Sequence, residues 1–422
     1  MAKPRTRIFA KQVAGLAAAI GELAPLEHAA DAMLHHFFRA HREIGAQDRA
    51  FIAEGAFTYL RRRRSLTALA HSADPRLLAL AVVVRHFHAT VRDLAGFLNT
   101  RESVWLAAFK SRLDTPLDRV VDADLPDWLW QRLGAILGDD GRDAFAQASL
   151  QPAPLDLRIN PAKTTRDAAL AVLRGEGLEA APTPFSPLGI RVDGRPALMR
   201  HPLFVDGAIE VQDEGSQLVG YALAPRRGEM VADFCAGAGG KTLLLGALMR
   251  SSGRLYAFDV VAKRLANLKP RLARSGLSNV HPQLIAAGRD PRVKRLAGKM
   301  DRVRGDAPGT GGGTLRRNPD LKWRHAESDV AELAQRHAWI LAAAATLVKP
   351  GGRLVYATCS VLPEENDAIV DAFLAAHADF REGDAAREMA RAGIALDTGA
   401  RLRLAPQLHG CDGFFAAILA RQ

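Results

Sequence analysis

The apolar positions follow three different patterns in turn along the chain. From residue 1 to about residue 148 they recur every three or four residues, as in Ala30, Met33, Leu34 and Phe37, and Gly and Pro are sparse. This is the spacing of an amphipathic helix, because residues three and four apart share one helix face. We therefore predict that residues 1–148 form an independent all-helical bundle.

The second pattern begins after a proline-bearing joint at Gln151–Pro154. Residues 155–160 alternate between apolar and polar side chains, as in a half-buried strand. A helix is predicted to begin near Thr165, and a second strand near Gly189–Val192. We predict a small α+β domain over residues 149–203.

The third pattern, over residues 204–422, alternates strands with helices and predicts a Rossmann-like, doubly wound parallel sheet. The predicted strands are 230–234, 254–259, about 282–286, 301–305 and 353–357. Such sheets bind ligands at the carboxyl ends of their strands. Four reactive side chains lie at the carboxyl ends of predicted strands, so we expect one pocket to gather Asp233, Asp259, Asp306 and Cys359.

A glycine-rich turn within Val231–Thr242 joins the first of these strands to a helix. Glycine lets the backbone turn tightly and lets a ligand approach the N–H groups at the helix start. Two common nucleotide motifs nearly fit. A phosphate-binding P-loop would need its first glycine at Cys235, and a dinucleotide fingerprint would need its third glycine at Thr242.

The second predicted strand ends at Asp259, 20 residues past Gly239. At that spacing a carboxylate accepts hydrogen bonds from a ribose. A ribose site without a pyrophosphate site points to S-adenosyl-L-methionine as the cofactor. An NTPase or an NAD enzyme is the alternative.

The formal net charge of +11 favours a polyanionic partner, with nucleic acid first and an anionic membrane surface second. A GC-rich organism that uses Arg liberally would produce the same charge. Arg61–Arg64 ends a predicted helix, where cations complement the helix dipole, and an RNA-phosphate contact is an equal alternative.

Three cysteines are too few for a disulfide framework, and no Cys/His spacing indicates a metal site. The first apolar stretch has helical spacing and no signal-peptide pattern. The longest apolar runs, Leu78–Val84 and Ala338–Val348, are shorter than a membrane span. We expect a cytoplasmic protein that has no metal and does not bind a membrane.

Cys359 lies in a polar turn just past a predicted strand. A cysteine in that position is often an inert core residue. The basic protein and the nearby cofactor loop favour a thiolate and a nucleophilic role instead.

Five stretches together resemble the RNA cytosine-5 methyltransferases, and in particular the bacterial ribosomal-RNA branch, the RsmB type of the RsmB/NOP/NSUN family. They are Gln212–Glu214, the glycine turn with Asp259, Asp306–Gly309 followed by the unusual run Thr314–Arg324, Leu354–Asn366 and Asp412–Phe415. The resemblance covers essentially the whole chain. It implies a NusB-like RNA-binding helical domain, an RRM-like linker domain and a methyltransferase domain.

The resemblance also implies the roles of individual residues. Cys359 would add to carbon 6 of a cytosine, so that carbon 5 attacks the methyl group, and Asp306 would hold the base near ring nitrogen 3. Asp259 would contact the ribose, and Asp290 the adenine. The rest of the cofactor would lie along Cys235, Ala236, Gly237, Ala238, Gly239, Gly240 and Lys241, with Asp306 nearby. RNA phosphates would meet Arg316, Arg317, Lys322 and Arg324. Small-subunit ribosomal RNA is the expected substrate and a monomer the expected state.

Three features depart from the family pattern. Gly309 replaces a second cysteine that assists release of the covalent RNA adduct. Ala236–Ala238 departs mildly from the usual Ala-Ala-Pro, and the strand 301–305 is unusually polar for a central parallel strand. Our hypothesis is that methyl transfer survives while release is slowed or uses another base.

The alternative function is an RNA-binding or ribosome-assembly factor on the same scaffold, impaired in catalysis. A cytosine-5 DNA methyltransferase is excluded because its nucleophile would follow Pro308. An amino-group methyltransferase is excluded because its Asn/Asp-Pro-Pro-aromatic loop is absent.

Overall fold

The computed structural model describes residues 8–288 and 290–422. Contacts divide the chain into two units. The first comprises Met1–Pro152 together with Leu315–Glu327, and the second comprises Ala153–Thr314 together with Ser328–Gln422. The run 315–327 was predicted as part of the methyltransferase domain, but its contacts are with the helical unit.

The first unit is helical, as its apolar spacing predicts. Helices α1, α3 and α5 contact one another, and residues 78–83 of α5 are almost fully buried. Asp74 caps α5 by accepting the N–H groups of Arg76 and Leu77. Helix α9 is broken at Gly138, where φ is 71°. The helices are α1 (Ala10–Leu23), α2 (Ala30–Ala40), α3 (Ala46–Arg61), α4 (Arg63–Ala70), α5 (Pro75–Arg85), α6 (Val91–Leu94), α7 (Thr100–Ser111), α8 (Arg119–Asp122) and α9 (Asp127–Ser149).

The second unit begins with a small antiparallel sheet in the order β2-β3-β1-β4. Its elements are β1 (Leu155–Ile159), α10 (Arg166–Gly175), β2 (Ala180–Pro182), β3 (Gly189–Val192), α11 (Pro202–Val205) and β4 (Ile209–Val211). Strand β4 pairs with β1, with Leu157 opposite Val211. The small sheet therefore continues past the boundary predicted at residue 203. That boundary was set too early because β4 is only three residues long and gives no clear period.

The remainder of the second unit is an α/β domain around an eight-stranded sheet. Helix α16 lies between β8 and α17 in the chain but belongs to the first unit. The elements are α12 (Glu214–Leu223), β5 (Met230–Phe234), α13 (Gly240–Leu248), β6 (Arg254–Asp259), α14 (Ala262–Ser275), β7 (Val280–Leu284), α15 (Pro291–Lys294), β8 (Met300–Asp306), α16 (Leu321–Arg324), α17 (Asp329–Ala345), β9 (Val348–Thr358), α18 (Asp367–Ala376), β10 (Phe380–Glu382), α19 (Ala385–Arg391), β11 (Leu402–Leu404), α20 (Pro406–His409) and β12 (Phe414–Arg421).

The large sheet has the order β10-β12-β9-β8-β5-β6-β7, and β11 also pairs with β12. Strands β9, β8, β5, β6 and β7 are parallel neighbours, as predicted. Strand β12 runs antiparallel to β9, and β10 and β11 run antiparallel to β12. The sheet is therefore mixed. The predicted all-parallel sheet lacked this edge because two of its three strands are only three residues long.

The polar residues of β8 have partners, which explains how a central strand tolerates them. Arg302 pairs with Glu229 at 2.7 Å and donates to the carbonyl oxygen of Leu223. Arg304, 1% exposed at its side chain, pairs with Asp233 at 2.6 Å. A buried charge is tolerated when a partner of opposite charge satisfies it.

In the described part of the chain, no single helix is long and apolar enough to cross a bilayer. Helices Arg63–Ala70 and Pro75–His86 are long and apolar enough only when they are taken together, and the chain bends by 104° between them.

Candidate active site

The parallel strands β6, β5, β8 and β9 are neighbours, so their carboxyl ends share one edge of the sheet. Asp259 ends β6, Asp306 ends β8, and Cys359 directly follows β9. The glycine turn connects β5 to α13 at the same edge. The structure thus brings Asp259, Asp306 and Cys359 to one edge of the sheet, whereas Asp233, the fourth residue predicted for the pocket, is buried within β5 and paired with Arg304.

The glycine turn needs glycine at two positions. The φ angles of Gly237 and Gly239 are 59° and 82°, in the left-handed region that side chains disfavour. A Cβ at Gly239 would lie 2.0 Å from Cδ1 of Leu268, whereas one at Gly237 would meet nothing within 4 Å. The turn is therefore packed against α14 at one glycine and open at the other.

Asp259 anchors this turn to the end of β6. Its Oδ2 accepts the N–H of Gly237 at 2.8 Å, and its Oδ1 accepts the N–H of Val261 at 2.8 Å. Each carboxylate oxygen keeps a further lone pair that can accept a ribose hydroxyl. The open face at Gly237 and this carboxylate fit the cofactor that the sequence predicts.

Two arginines that the sequence analysis missed also hold the turn. Arg271 donates to the carbonyl oxygen of Ala238 at 2.8 Å, and Arg158 donates to that of Gly240 at 2.6 Å. Arg158 is buried, and burial lowers its pKa to about 10. No motif indicated them, because they lie on β1 and α14, away from the turn in sequence.

Asp306 lies in a chain of alternating charges. Lys241 donates to its Oδ2 at 2.9 Å, and Nη1 of Arg304 lies 3.6 Å from the same oxygen. Arg304 also pairs with Asp233, whose Oδ2 accepts the hydroxyl of Thr242 at 2.5 Å. Burial opposes ionisation of Asp306, but Lys241 and Arg304 outweigh it and lower its pKa. Asp306 is therefore an ionised hydrogen-bond acceptor at neutral pH.

Cys359 carries a thiol at rest, contrary to the expected thiolate. Burial raises its pKa to about 12, and the charge of Asp306 adds to this effect. Lys241 opposes the shift, but Glu365 and Asp412 reinforce it. The net positive charge of the whole protein misled the prediction, because the local charges around the sulfur are mostly carboxylates.

Asp290 caps the short helix α15. Its Oδ1 accepts the N–H of Arg292 at 2.8 Å and its Oδ2 that of Ala286 at 3.0 Å. These backbone hydrogen bonds lower its pKa. Capping accounts for the side chain, so the adenine contact stays a proposal.

Two of the four predicted phosphate contacts, Arg316 and Lys322, are buried. Lys322, 2% exposed, donates to the carbonyl oxygen of Arg61 at 2.8 Å, and burial lowers its pKa to about 7. Arg316 is also buried, and its carbonyl oxygen accepts a hydrogen bond from Arg61. Buried groups do not meet RNA phosphates, so this part of the prediction is wrong. Arg317 and Arg324 are partly exposed.

The Arg61–Arg64 run is also largely structural. Arg61 is buried, and Arg64 donates to the carbonyl oxygen of Leu125 and pairs with Asp127, both at 2.8 Å. Within residues 8–288 and 290–422, no group of three or more His, Cys, Asp or Glu residues is arranged to hold a metal ion.

Comparison with known proteins identifies the family. The model for RsmB/F 16S rRNA methyltransferases matches residues 220–420. The ribosomal RNA small subunit methyltransferase B of Erwinia tasmaniensis is 35% identical over 354 residues, which are 82% of this chain and 78% of that protein. The chain belongs to the RsmB/F methyltransferase family. S-adenosyl-L-methionine is the cofactor of this family, as the glycine turn and Asp259 predict.

Other relatives and solved structures agree with this assignment. A relative from Synechocystis is 36% identical over 299 residues, covering 70% of this chain and 66% of that protein. The crystal structure of PH0851 is 26% identical, has a TM-score of 0.80, and covers 98% of this chain and 99% of its own. A methyltransferase homolog from Pyrococcus horikoshii is 28% identical, with a TM-score of 0.61, and covers 72% of this chain and 98% of its own. A model for the ferredoxin-like domain of RsmF/B-like methyltransferases matches residues 125–198, close to the predicted linker domain.

Proposed function

We propose that this RsmB/F family member transfers the methyl group of S-adenosyl-L-methionine to carbon 5 of a cytosine in small-subunit ribosomal RNA. The observation that carries the proposal is the placement of Cys359 and Asp306 at the ends of adjacent parallel strands, beside the glycine turn. The curated relatives named as small-subunit rRNA methyltransferases support the substrate. The expectation of a cytoplasmic monomer belongs to the same proposal.

The cofactor would lie along residues 235–241, with its ribose at Asp259 and its adenine toward Asp290. When bound, it supplies a methyl group on a positively charged sulfur. Lys241 and Arg304 hold Asp306 ionised, so that its carboxylate can accept a hydrogen bond from the exocyclic amine of cytosine, and from ring nitrogen 3 once that nitrogen is protonated in the adduct.

Cys359 would act as the nucleophile. Its sulfur bonds to carbon 6 of cytosine while the thiol proton passes to ring nitrogen 3, so the electron pair of the 5,6 double bond becomes available at carbon 5 to take the methyl group. A base then removes the proton of carbon 5, the sulfur leaves carbon 6 and the 5,6 double bond forms again. Because the resting group is a thiol, its deprotonation is part of the reaction. The target base must leave its stack to reach the edge of the sheet.

The helical unit would contribute RNA binding as a NusB-like domain, consistent with the net charge of +11. Arg317 and Arg324 are the members of the Thr314–Arg324 run that we retain as phosphate contacts. The three predicted domains remain proposals, with the small sheet extended through Val211 and residues 315–327 assigned to the helical unit.

The test is nucleoside analysis by mass spectrometry of small-subunit rRNA after incubation with the protein and S-adenosyl-L-methionine. We expect 5-methylcytidine with the wild type and with Cys411→Ala, and none with Cys359→Ala. Cys411 is a matched control because it is a buried cysteine with no role in the proposal. Methylation that survives Cys359→Ala contradicts the mechanism.

The alternative is an RNA-binding assembly factor impaired in catalysis. The protonated thiol of Cys359 and the glycine at position 309 favour it. It predicts RNA binding without 5-methylcytidine, and an affinity that Cys359→Ala leaves unchanged.

A further inference from the structure

Glu365 is a fully buried carboxylate that ties two loops of the site together. Its Oε1 accepts the N–H of Thr310 at 2.9 Å, and its Oε2 accepts the hydroxyl of Thr310 at 2.5 Å. The hydroxyl of Ser360 also donates to Oε2. Thr310 follows the Asp306 loop and Ser360 follows Cys359. One carboxylate therefore joins the loop of the predicted nucleophile to the loop of the base-binding carboxylate.

The residues flanking Cys359 are held from a second side by Asn366. Its Oδ1 accepts the hydroxyl of Thr358 at 2.5 Å, and its Nδ2 donates to the carbonyl oxygen of Ser360 at 3.0 Å. The carbonyl oxygen of Cys359 accepts the N–H of Gly313 at 2.8 Å. The backbone on both sides of the sulfur is thus held by Glu365, Asn366 and the 306–313 loop.

The same carboxylate lies beside the glycine at position 309. A Cβ there would lie 2.1 Å from Oε1 of Glu365 and 3.0 Å from Cε1 of His337. The nearest atom is the end of the Glu365 side chain, so an added Cβ would displace that carboxylate from its hydrogen bonds. Glu365 is held by the hydrogen bonds above, and buried His337 has Nε2 3.1 Å from the carbonyl oxygen of Pro308 and Nδ1 2.8 Å from the hydroxyl of Tyr356.

We propose that Glu365 is a positioning residue for Cys359, and that a side chain added at position 309 acts on Cys359 by displacing the Glu365 carboxylate. The proposal rests on the function proposed above. Because Ser360 donates to the Glu365 carboxylate, a shift of that carboxylate would be passed to the backbone beside Cys359.

The first test measures the reactivity of Cys359 in the purified protein without RNA. Iodoacetamide modification of the Cys359 peptide is followed by mass spectrometry across about pH 7 to 10. Glu365→Gln keeps most of the hydrogen bonds but removes a charge that raises the pKa of Cys359. We expect alkylation to be roughly tenfold faster at a given pH, because the thiolate becomes more populated. The matched control is Glu388→Gln, another buried carboxylate of the same unit.

The second test separates positioning from charge by steady-state methyl transfer. Glu365→Ala removes the hydrogen bonds as well, so we expect kcat to fall about 100-fold while KM for RNA changes little, because a small displacement of a nucleophile is costly. Glu365→Gln restores most of kcat. Equal losses for Gln and Ala, or no loss with Ala, would overturn the proposal.

The third test is a double-mutant cycle between positions 309 and 365. Gly309→Ala alone lowers kcat and changes Cys359 alkylation, whereas in the Glu365→Ala background it adds nothing. Gly175→Ala is the control, because a Cβ there meets nothing within 4 Å. Additive effects, or a harmless Gly309→Ala, contradict the proposal. If Glu365→Ala does not fold, Glu365→Gln and Gly309→Ala still decide it.

Different outcomes would contradict the positioning role of Glu365 and the proposed methyl transfer. Unchanged Cys359 alkylation in both Glu365→Ala and Gly309→Ala overturns the positioning role, whatever the enzyme methylates. Changed alkylation in a protein that makes no 5-methylcytidine overturns the proposed reaction and leaves the positioning role intact.

Discussion

Lys241 and Lys322 both come from stretches that the sequence assigned to ligand binding, but the structure uses them differently. Lys241, in the first turn of α13, donates to Asp306 at the carboxyl end of β8. Lys322 lies in the helical unit, where it donates to a backbone carbonyl and burial lowers its pKa to about 7. The first keeps a carboxylate ionised at the site, and the second helps hold helices together.

The difference shows what a basic run in a sequence does and does not indicate. A lysine placed one turn after a strand end has a predictable position, because the strand–turn–helix geometry aims it at the sheet edge. The run Thr314–Arg324 is not part of a strand–turn–helix unit, so the sequence does not predict where its side chains point. From Leu315 onward it belongs to the helical unit, where Trp323 donates to the carbonyl oxygen of Leu60 at 2.7 Å.

The largest effect that sharpens this comparison is expected from Lys241→Met. Loss of the ammonium raises the pKa of Asp306 and frees its side chain, so methyl transfer should fall about 100-fold while thermal stability changes little. Kinetics and thermal unfolding of the same preparation check this. A variant with near-normal kcat would place Lys241 outside the site.

Lys322→Met should have the opposite profile. It removes the hydrogen bond to Arg61 and a charge near buried Asp124, so we expect about 2 kcal/mol of lost stability and methyl transfer within a few-fold of wild type at low temperature. Urea unfolding measures the first quantity. A stable variant with lost RNA binding would return Lys322 to the RNA interface.

The depressed pKa of Lys322 also predicts a pH dependence. Between about 7 and the ordinary value of 10.5 the unfolded chain binds a proton that the folded chain does not. This group therefore makes unfolding harder as pH rises through that window. The difference in unfolding free energy between wild type and Lys322→Met should grow from pH 7 to pH 10, and a constant difference would contradict the assignment.

Arg304→Met should produce a smaller, pH-dependent loss. Arg304 helps to lower the pKa of Asp306, so its removal moves the acid limb of the kcat profile to higher pH, with a roughly tenfold loss near pH 6. Arg302→Met is the matched control, since Arg302 pairs with Glu229 nearer the amino end of β8. If Arg304→Met does not fold, Arg304→Lys takes its place, because it keeps a cation beside Asp233. If the acid limb of the kcat profile does not move, Arg304 does not control the pKa of Asp306.

The smallest effect is expected from Arg317→Ala and Arg324→Ala. If each meets one phosphate, RNA affinity should fall a few-fold and the salt dependence of binding should weaken by about one unit of slope. Arg336→Ala is the control, because Arg336 is exposed and pairs with Glu332 on α17. Equal losses in all three variants would indicate a general charge effect.

The parallel part of the fold, and the meeting of Asp259, Asp306 and Cys359 at one edge of the sheet, were predictable from sequence, because strand periods and the glycine turn are local signals. Strands β10 and β11 were not, since three residues carry no readable period. The charges around Cys359 were not predictable either. They depend on Asp306, Glu365 and Asp412, which come together only in the folded chain, and so the thiol was predicted as a thiolate.

The significance of Gly309 also depended on the three-dimensional structure. In the sequence it marks a departure from the family pattern. In the fold it lies beside Glu365, which is 56 residues later in the chain. The polar strand 301–305 is similar, because its partners Glu229 and Asp233 lie on or beside the neighbouring strand β5.

The most direct test of the account is a denaturing gel of the protein with small-subunit rRNA that contains 5-fluorocytidine, in the presence of S-adenosyl-L-methionine. Fluorine at carbon 5 leaves no proton to remove, so a cysteine adduct formed at carbon 6 cannot be released. The account predicts a denaturation-resistant protein–RNA band with the wild type and none with Cys359→Ala. Rapid formation of 5-methylcytidine in ordinary rRNA, with no trapped band, would contradict a covalent role for Cys359.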